Sequence, residues 1–143
     1  MAKQVKACLG PTDPLRWLTR EEVVKPAEEH RWMLRLVDVP AALDGRGYPA
    51  GVDATVTLTV ADPELPGNTG TWRLAVAKGT GQTSRTDPDP GAPRLGPNGL
   101  AALYAGFPLP TLRAAGLVEG GDPDADPLLD SVFTAQPYLL DYF

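Results

Sequence analysis

At 143 residues the chain is long enough for one domain with its own core and too short for two. Hydrophobic residues at 43% and charged residues at 22% place it among globular proteins, and a net charge of −5 makes it a poor candidate for binding a phosphate backbone. The single cysteine, Cys8, excludes an internal disulfide and fits a reducing compartment, no apolar run approaches the roughly 20 residues of a membrane span, and the opening segment lacks the long apolar core of a signal peptide.

In chain order, residues 4–9 read as a short strand broken by Pro11 and Pro14. Asp13 caps a helix over 14–18, with proline in its first position and Leu15 and Leu18 on one face. Residues 19–22 make a polar exit, Val23 and Val24 a short extended piece, and residues 28–30 a solvated turn. His30, the only histidine, sits among charges with no partner of the kind a catalytic site needs. Next comes the stretch that organises the chain. Trp32, Leu34 and Leu36 alternate with Met33, Arg35 and Val37, the period of a strand with one buried face. Asp38 follows as an N-cap, Pro40 falls in the first turn, Ala41, Ala42 and Leu43 continue a short helix, and Gly45 and Gly47 stop it.

After a turn at 49–51, residues 53–60 are the clearest strand, with Val56, Leu58 and Val60 on one face and Thr55, Thr57 and Thr59 on the other. A loop over 62–70 leads to a strand at 71–76 with Trp72, Leu74 and Val76 inward, and the two strands predict an antiparallel pair. Residues 82–85 are polar and suit an edge strand, residues 87–93 form a proline-rich loop, and Arg94 and Leu95 extend. Asn98 is placed to cap a helix over 99–105, and Gly106 to end it. Thr111 is placed to cap a helix over 112–115 ended by Gly116, and a last helix runs over 128–133 behind Asp126 and Pro127. Trp32, Trp72, Tyr104 and Phe107 are expected in the core.

Chemical motifs are sparse. Lys78-Gly79-Thr80-Gly81 has the letters of a phosphate loop in the wrong order, and one histidine with one cysteine cannot build a structural zinc site. No Gly-x-Ser-x-Gly elbow occurs. Asp122, Asp124 and Asp126 alternate as in a calcium loop, but Pro123, Pro127 and the missing glutamate at the twelfth position point to a solvated acidic loop instead.

The order of motifs is more specific than any one of them. Asp13-Pro-Leu-Arg-Trp-Leu18 is followed by Trp32-Met-Leu-Arg-Leu-Val-Asp-Val-Pro-Ala-Ala-Leu43, Thr57-Leu-Thr-Val60, Trp72-Arg-Leu74, Ser84-Arg-Thr86, Leu100-Ala-Ala-Leu-Tyr-Ala-Gly106, Leu112-Arg-Ala-Ala-Gly-Leu-Val118 and an aromatic tail ending in Phe143. Over nearly its whole length the chain resembles the C-terminal domain of the enhanced intracellular survival (Eis) family of N-acetyltransferases. The resemblance implies an α+β fold like that of sterol carrier protein 2, a mostly antiparallel or mixed sheet covered by short helices. It implies that residues 1–12 are a strand or linker belonging to a preceding domain and that 13–143 form the sterol carrier-like domain. Ser84 stands where the family often has cysteine, and the proline-rich 87–93 replaces an acidic strand.

For function, the resemblance implies a scaffold within an acetyl-CoA-dependent enzyme that acetylates amines such as aminoglycosides or lysine side chains. Two acetyltransferase-like domains would precede it, the first binding acetyl-CoA; this portion would hold no cofactor and transfer no acetyl alone. The α-carboxylate of Phe143 would reach the first domain's site and help deprotonate the amine, with a tyrosine of that domain as general acid. Asp141 and Tyr142 would line the same pocket, with Asp38 and Tyr48 as further substrate contacts; Asp38 reads first as an N-cap, and Tyr142 reads equally well as an anchor docking the tail. Homo-oligomeric assembly and a cytoplasmic location are implied as well. The alternative is a stand-alone sterol carrier-like module that binds a lipid or sterol.

Overall fold

In the computed structural model the described residues are 6–7, 10, 13–20, 24–25 and 33–135. The chain divides into two compact units, one of residues 33–136 and one of residues 1–32 with 137–143. In the latter, α1 spans Leu15–Leu18; its N-cap is Pro14 and not Asp13 as the sequence predicts, and Asp13 Oδ1 instead accepts the Leu15 N–H at 2.9 Å, two residues on, as in an Asx turn. The expected strand at 4–9 and extended piece at 23–24 lie largely outside the described residues, as does His30.

The unit over 33–136 is built on the threonine–valine alternation. In β1, Ala54–Val60, the side chains of Val56, Leu58 and Val60 are buried, while the threonines face the other way. It pairs antiparallel with β2, Gly70–Ala77, in a register that sets Leu58 opposite Trp72 and Val56 opposite Leu74. β2 turns at Lys78 and Gly79 into β3, Thr80–Thr86. β4, Arg94–Leu95, joins the other side of β1 in parallel, and β5, Val118–Glu119, pairs antiparallel with β4. The sheet of described residues is thus mixed and five-stranded, in the order β3-β2-β1-β4-β5. Its polar β3 lies at an edge, as composition predicts.

The helices supply the other half of the core. They are α2 (Val39–Gly45), α3 (Pro97–Tyr104), α4 (Leu109–Ala114) and α5 (Asp126–Phe133), with 3₁₀ turns at Pro66–Asn68 and Pro123–Ala125. Leu43, Leu100, Leu103, Leu109, Val132 and Phe133 close over the inward face of the sheet with almost no exposure. At roughly 1.5–3 kcal/mol for each fully buried side chain of this size, these contacts supply the main drive for folding. This is an α+β arrangement consistent with a sterol carrier-like fold.

Several local expectations are corrected. Residues 33–36 belong to no strand, although Leu36 is buried and Met33 exposed as the alternation predicts. Side chains take the place of a ladder there: Asn68 Nδ2 donates to Leu36 O at 3.3 Å, and Arg35 reaches Asp62 at 2.9 Å. Asn98 does not cap α3, whose N-cap is Gly96, and Thr111 lies inside α4 because Pro108 caps that helix three residues before it. Phe107 follows the Gly106 turn and is 55% exposed, not core. Asp126 is buried rather than solvated, because Arg113 pairs with it through Nε at 2.7 Å and Nη2 at 2.9 Å. Trp32 lies outside the described residues.

At the free border of β3, Asp44 on α2 accepts the Thr83 N–H through Oδ1 at 2.6 Å. The Arg85 guanidinium lies 4.5 Å from the Trp72 ring and donates to the carbonyls of Thr69 and Gly67.

Candidate functional site

The sequence singles out five residues. Asp141, Tyr142 and Phe143 lie outside the described residues. Asp38 and Tyr48 are described, and the structure sets them beyond opposite ends of α2, a seven-residue helix about 10 Å long at 1.5 Å per residue. Asp38 is exposed and extended (φ −136°, ψ 102°), and its Oδ1 accepts the Ala41 N–H at 3.0 Å. It is the N-cap of α2, with Pro40 in the first turn where no amide is needed.

Tyr48 is buried. Its hydroxyl donates to Leu43 O at 2.7 Å, and its ring meets Phe133 edge-on with centroids 6.3 Å apart. The ring also fills the space beside Gly81, where a Cβ would come within 2.6 Å of Tyr48 Cε2. Burial pushes the phenol up to about 12, against a smaller downward pull from Arg46. A neutral phenol tied to a backbone carbonyl is a packing element in this structure. The two residues are not brought together.

Two clusters that sequence reasoning passed over are more highly organised. Arg46 lies between Gly45 and Gly47, the two glycines that stop α2 in the sequence. Its guanidinium carbon sits 5.2, 5.4 and 5.3 Å from the ring centroids of Tyr48, Tyr104 and Phe133. Nε donates to Tyr104 O at 3.1 Å, Nη2 to Phe133 O at 2.8 Å and Nη1 to Gly47 O at 3.1 Å. Burial lowers its pKa, and the neighbouring phenols pull the other way. The only signal in sequence was an arginine between two glycines.

The second cluster centres on Asp62 and Asn68, both buried. Asp62 accepts from Arg35, from Asn68 Nδ2 at 3.2 Å and from the backbone N–H groups of Glu64 and Leu65. Desolvation would raise its carboxyl, but the bonds from Asn68, Leu65, Glu64 and Arg35 together hold it below the usual range. Asn68 Oδ1 in turn accepts the Val39 N–H at 3.0 Å, and Asn68 O accepts from Trp72 Nε1 at 2.9 Å. This cluster fixes the entry into α2 and offers no unengaged reactive group.

Two shallow grooves mark the surface of this unit. One, of about 350 Å³, lies between β4, β5 and the start of α3, with Arg94, Asn98 and Glu119 on its rim. The other, of about 450 Å³, runs along the border of β3 past Asp44, Arg73 and Ser84. Neither includes Asp38 or Tyr48. Each sets a carboxylate beside its arginine, which does not suit the phosphates of coenzyme A, and Lys78-Gly79-Thr80-Gly81 is a hairpin turn with no helix behind it. Neither groove thus fits a coenzyme A phosphate. Among the described residues no three His, Cys, Asp or Glu side chains gather as metal ligands, and no helix is long and apolar enough to cross a membrane.

Comparison with known proteins gives the chain its family. Residues 39–140 match the sterol carrier protein domain. The chain is 50% identical to a GCN5-related N-acetyltransferase of Kribbella flavida, with a TM-score of 0.85 over 94% of this chain and 35% of that one. It is 33% identical to Eis1 of Mycobacterium abscessus, with a TM-score of 0.60 over 76% of this chain and 27% of that one. An uncharacterized N-acetyltransferase of Streptomyces avermitilis is 40% identical over 103 residues, 71% of this chain. The chain spans 24% of that relative's length. The match over residues 39–140 places this chain in the sterol carrier protein domain family, and the solved structures it is similar to are GCN5-related N-acetyltransferases, Eis1 among them.

Proposed function

We propose that the chain is the sterol carrier-like domain of an Eis-like, acetyl-CoA-dependent N-acetyltransferase, scaffolding the enzyme and bringing the Phe143 α-carboxylate to the amine acceptor. The observation that carries this reading is the 50% identity over 94% of the chain to an N-acetyltransferase of which it spans only 35%. The remaining length of such an enzyme would supply the acetyl-CoA site. Partners in this reading are the preceding acetyltransferase domains, a cationic amine and further copies of the enzyme, in the cytoplasm.

The chemistry follows from the acceptor. An alkylammonium must lose a proton before its nitrogen can attack a thioester carbonyl. A carboxylate in reach takes that proton, directly or through one water, and its charge holds the cation beforehand. The nitrogen then bonds to the acetyl carbon, the C–S bond breaks, and coenzyme A leaves as a thiol on receiving a proton. A free α-carboxyl has a pKa of about 3.3–3.7, so it is a weak base until desolvated beside the ammonium. Asp141 and Tyr142 would line the same pocket. Of the other two residues, exposed Asp38 is better placed for a cation than Tyr48, whose hydroxyl is engaged inside the fold.

The lipid-carrier reading gains no support from the core, where Leu43, Leu58, Leu74, Leu95 and Leu103 pack on one another with no exposure. The test is steady-state kinetics of the full-length protein with Phe143 deleted, or with residues appended after it. Loss of kcat by about 10²-fold or more in both forms, the range for removal of a general base, is expected. Unchanged turnover in either would refute the assignment.

A further inference from the structure

If the carboxyl end of the chain does chemistry, what fixes the base of that segment matters as much as its last residue. α5 ends at Phe133, and three features hold the backbone just beyond it. The Phe133 carbonyl, one of the helix's orphaned acceptors, takes a bond from Arg46 Nη2 at 2.8 Å. Thr134 turns out of the helix (φ −51°, ψ 122°) while its hydroxyl donates to Asp130 O at 2.8 Å. Ala135 then passes directly over Gly106, where a Cβ would lie 2.7 Å from Ala135 O and 2.8 Å from Ala135 N. Gly106 also has φ +90°, so both its conformation and its bareness are needed there.

Arg46 ties this exit to a second helix end. The same guanidinium donates through Nε to Tyr104 O, the last residue of α3. Its position is over-determined by the rings of Tyr48, Tyr104 and Phe133 on its faces. A cation bridging two helix C-termini also suits the partial negative charge there. Among the described residues no carboxylate pairs with Arg46.

We infer that Arg46 and Gly106 are positioning residues: together they hold the backbone of residues 133–135, from which the carboxyl-terminal segment starts. The inference rests on the proposed role of Phe143. The eight residues from 136 to 143 span at most about 28 Å, so where they start limits where the carboxylate arrives. A displacement of about 1 Å at a reacting group costs about 10²-fold in rate.

The test uses the full-length protein with Arg46→Met, which keeps an apolar stem among the rings but loses the carbonyl bonds, Arg46→Lys as a milder second variant, and Gly106→Ala. Each is made with Phe143 present and with Phe143 deleted. The expected result is a tenfold or greater fall in kcat, unchanged KM for acetyl-CoA, and no further loss once Phe143 is gone. An equal loss in both backgrounds would mean a merely structural role and would overturn the inference, as would full kcat in all three variants when Phe143 deletion alone is damaging. In that last case the role of Phe143 stands. A second readout is independent of activity. Spin labels on Tyr142→Cys and Asp87→Cys, with Cys8→Ser, should give a shifted or broadened distance distribution in Arg46→Met and in Arg46→Lys. Identical distributions would overturn the inference even if Phe143 proved essential. If Phe143 deletion is harmless while the distributions move, the proposed function fails and the positioning of the segment by Arg46 survives.

Discussion

Replacing Asn68 tests what holds the segment from 33 to 38 in place of a strand. In Asn68→Ala the buried Val39 N–H and Leu36 C=O both lose their partner, and Asp62 loses one donor. At about 1–3 kcal/mol for each stranded buried group, the expected loss is about 3–4 kcal/mol. That is a large share of the roughly 5–15 kcal/mol of a typical domain. Urea unfolding followed by tryptophan fluorescence is suited to the measurement, since Trp72 Nε1 bonds to Asn68 O. Asn68→Asp adds a sign. It keeps an acceptor for Val39 but sets a second carboxylate where the amide now lies 3.2 Å from Asp62 Oδ2. In the parent chain Asp62 has a depressed pKa, so its contribution is full above about 3.9, the unfolded value, and is lost as pH falls through the lower folded value. In Asn68→Asp the two carboxylates raise each other, so stability should rise as pH falls from about 7 toward 4. A loss under about 1 kcal/mol in Asn68→Ala, or parallel pH profiles for parent and Asn68→Asp, would refute the reasoning.

Tyr48→Phe removes the bond to Leu43 O and should cost about 1 kcal/mol near neutral pH. The folded phenol is raised from 10.0 to about 12, so its contribution is complete below about pH 10 and is lost as pH climbs through the folded value. The gap between parent and variant should therefore narrow in unfolding curves taken from near pH 8 to near pH 11, and a constant gap would count against burial of the hydroxyl. Asp126→Asn leaves the Arg113 guanidinium without its buried partner and should cost about 3 kcal/mol in thermal unfolding. Exposed Asp124→Asn, two residues away, should change stability by less than about 0.5 kcal/mol.

The sequence made the sheet's centre legible because β1 from Val56 and β2 from Trp72 carry their burial in alternation, with threonine on one face of β1 and valine or leucine on the other. Alternation misled at 33–36. Period alone cannot distinguish a strand from an extended segment whose backbone is held by distant side chains, and Asn68 lies 32 residues from the carbonyl it serves. β4 and β5 are two residues each, too short for any period, and they exist because the parallel addition to β1 gives them partners. The Asp38 cap was readable because its partner is three residues away. The Arg46 cluster was not, because its carbonyl partners at Tyr104 and Phe133 are 58 and 87 residues distant.

A sheet in a domain this size has two borders at which a foreign strand could attach. On one side β5 is only two residues long, Val118–Glu119, and ends on a charge. On the other, Asp44 already occupies the outward amide of Thr83. An incoming backbone would meet a carboxylate instead of a donor at the middle of β3, and the hydrogen-bonded template would be interrupted there. One aspartate near the end of a short helix thus turns the middle of β3 from an open pairing template into an occupied one.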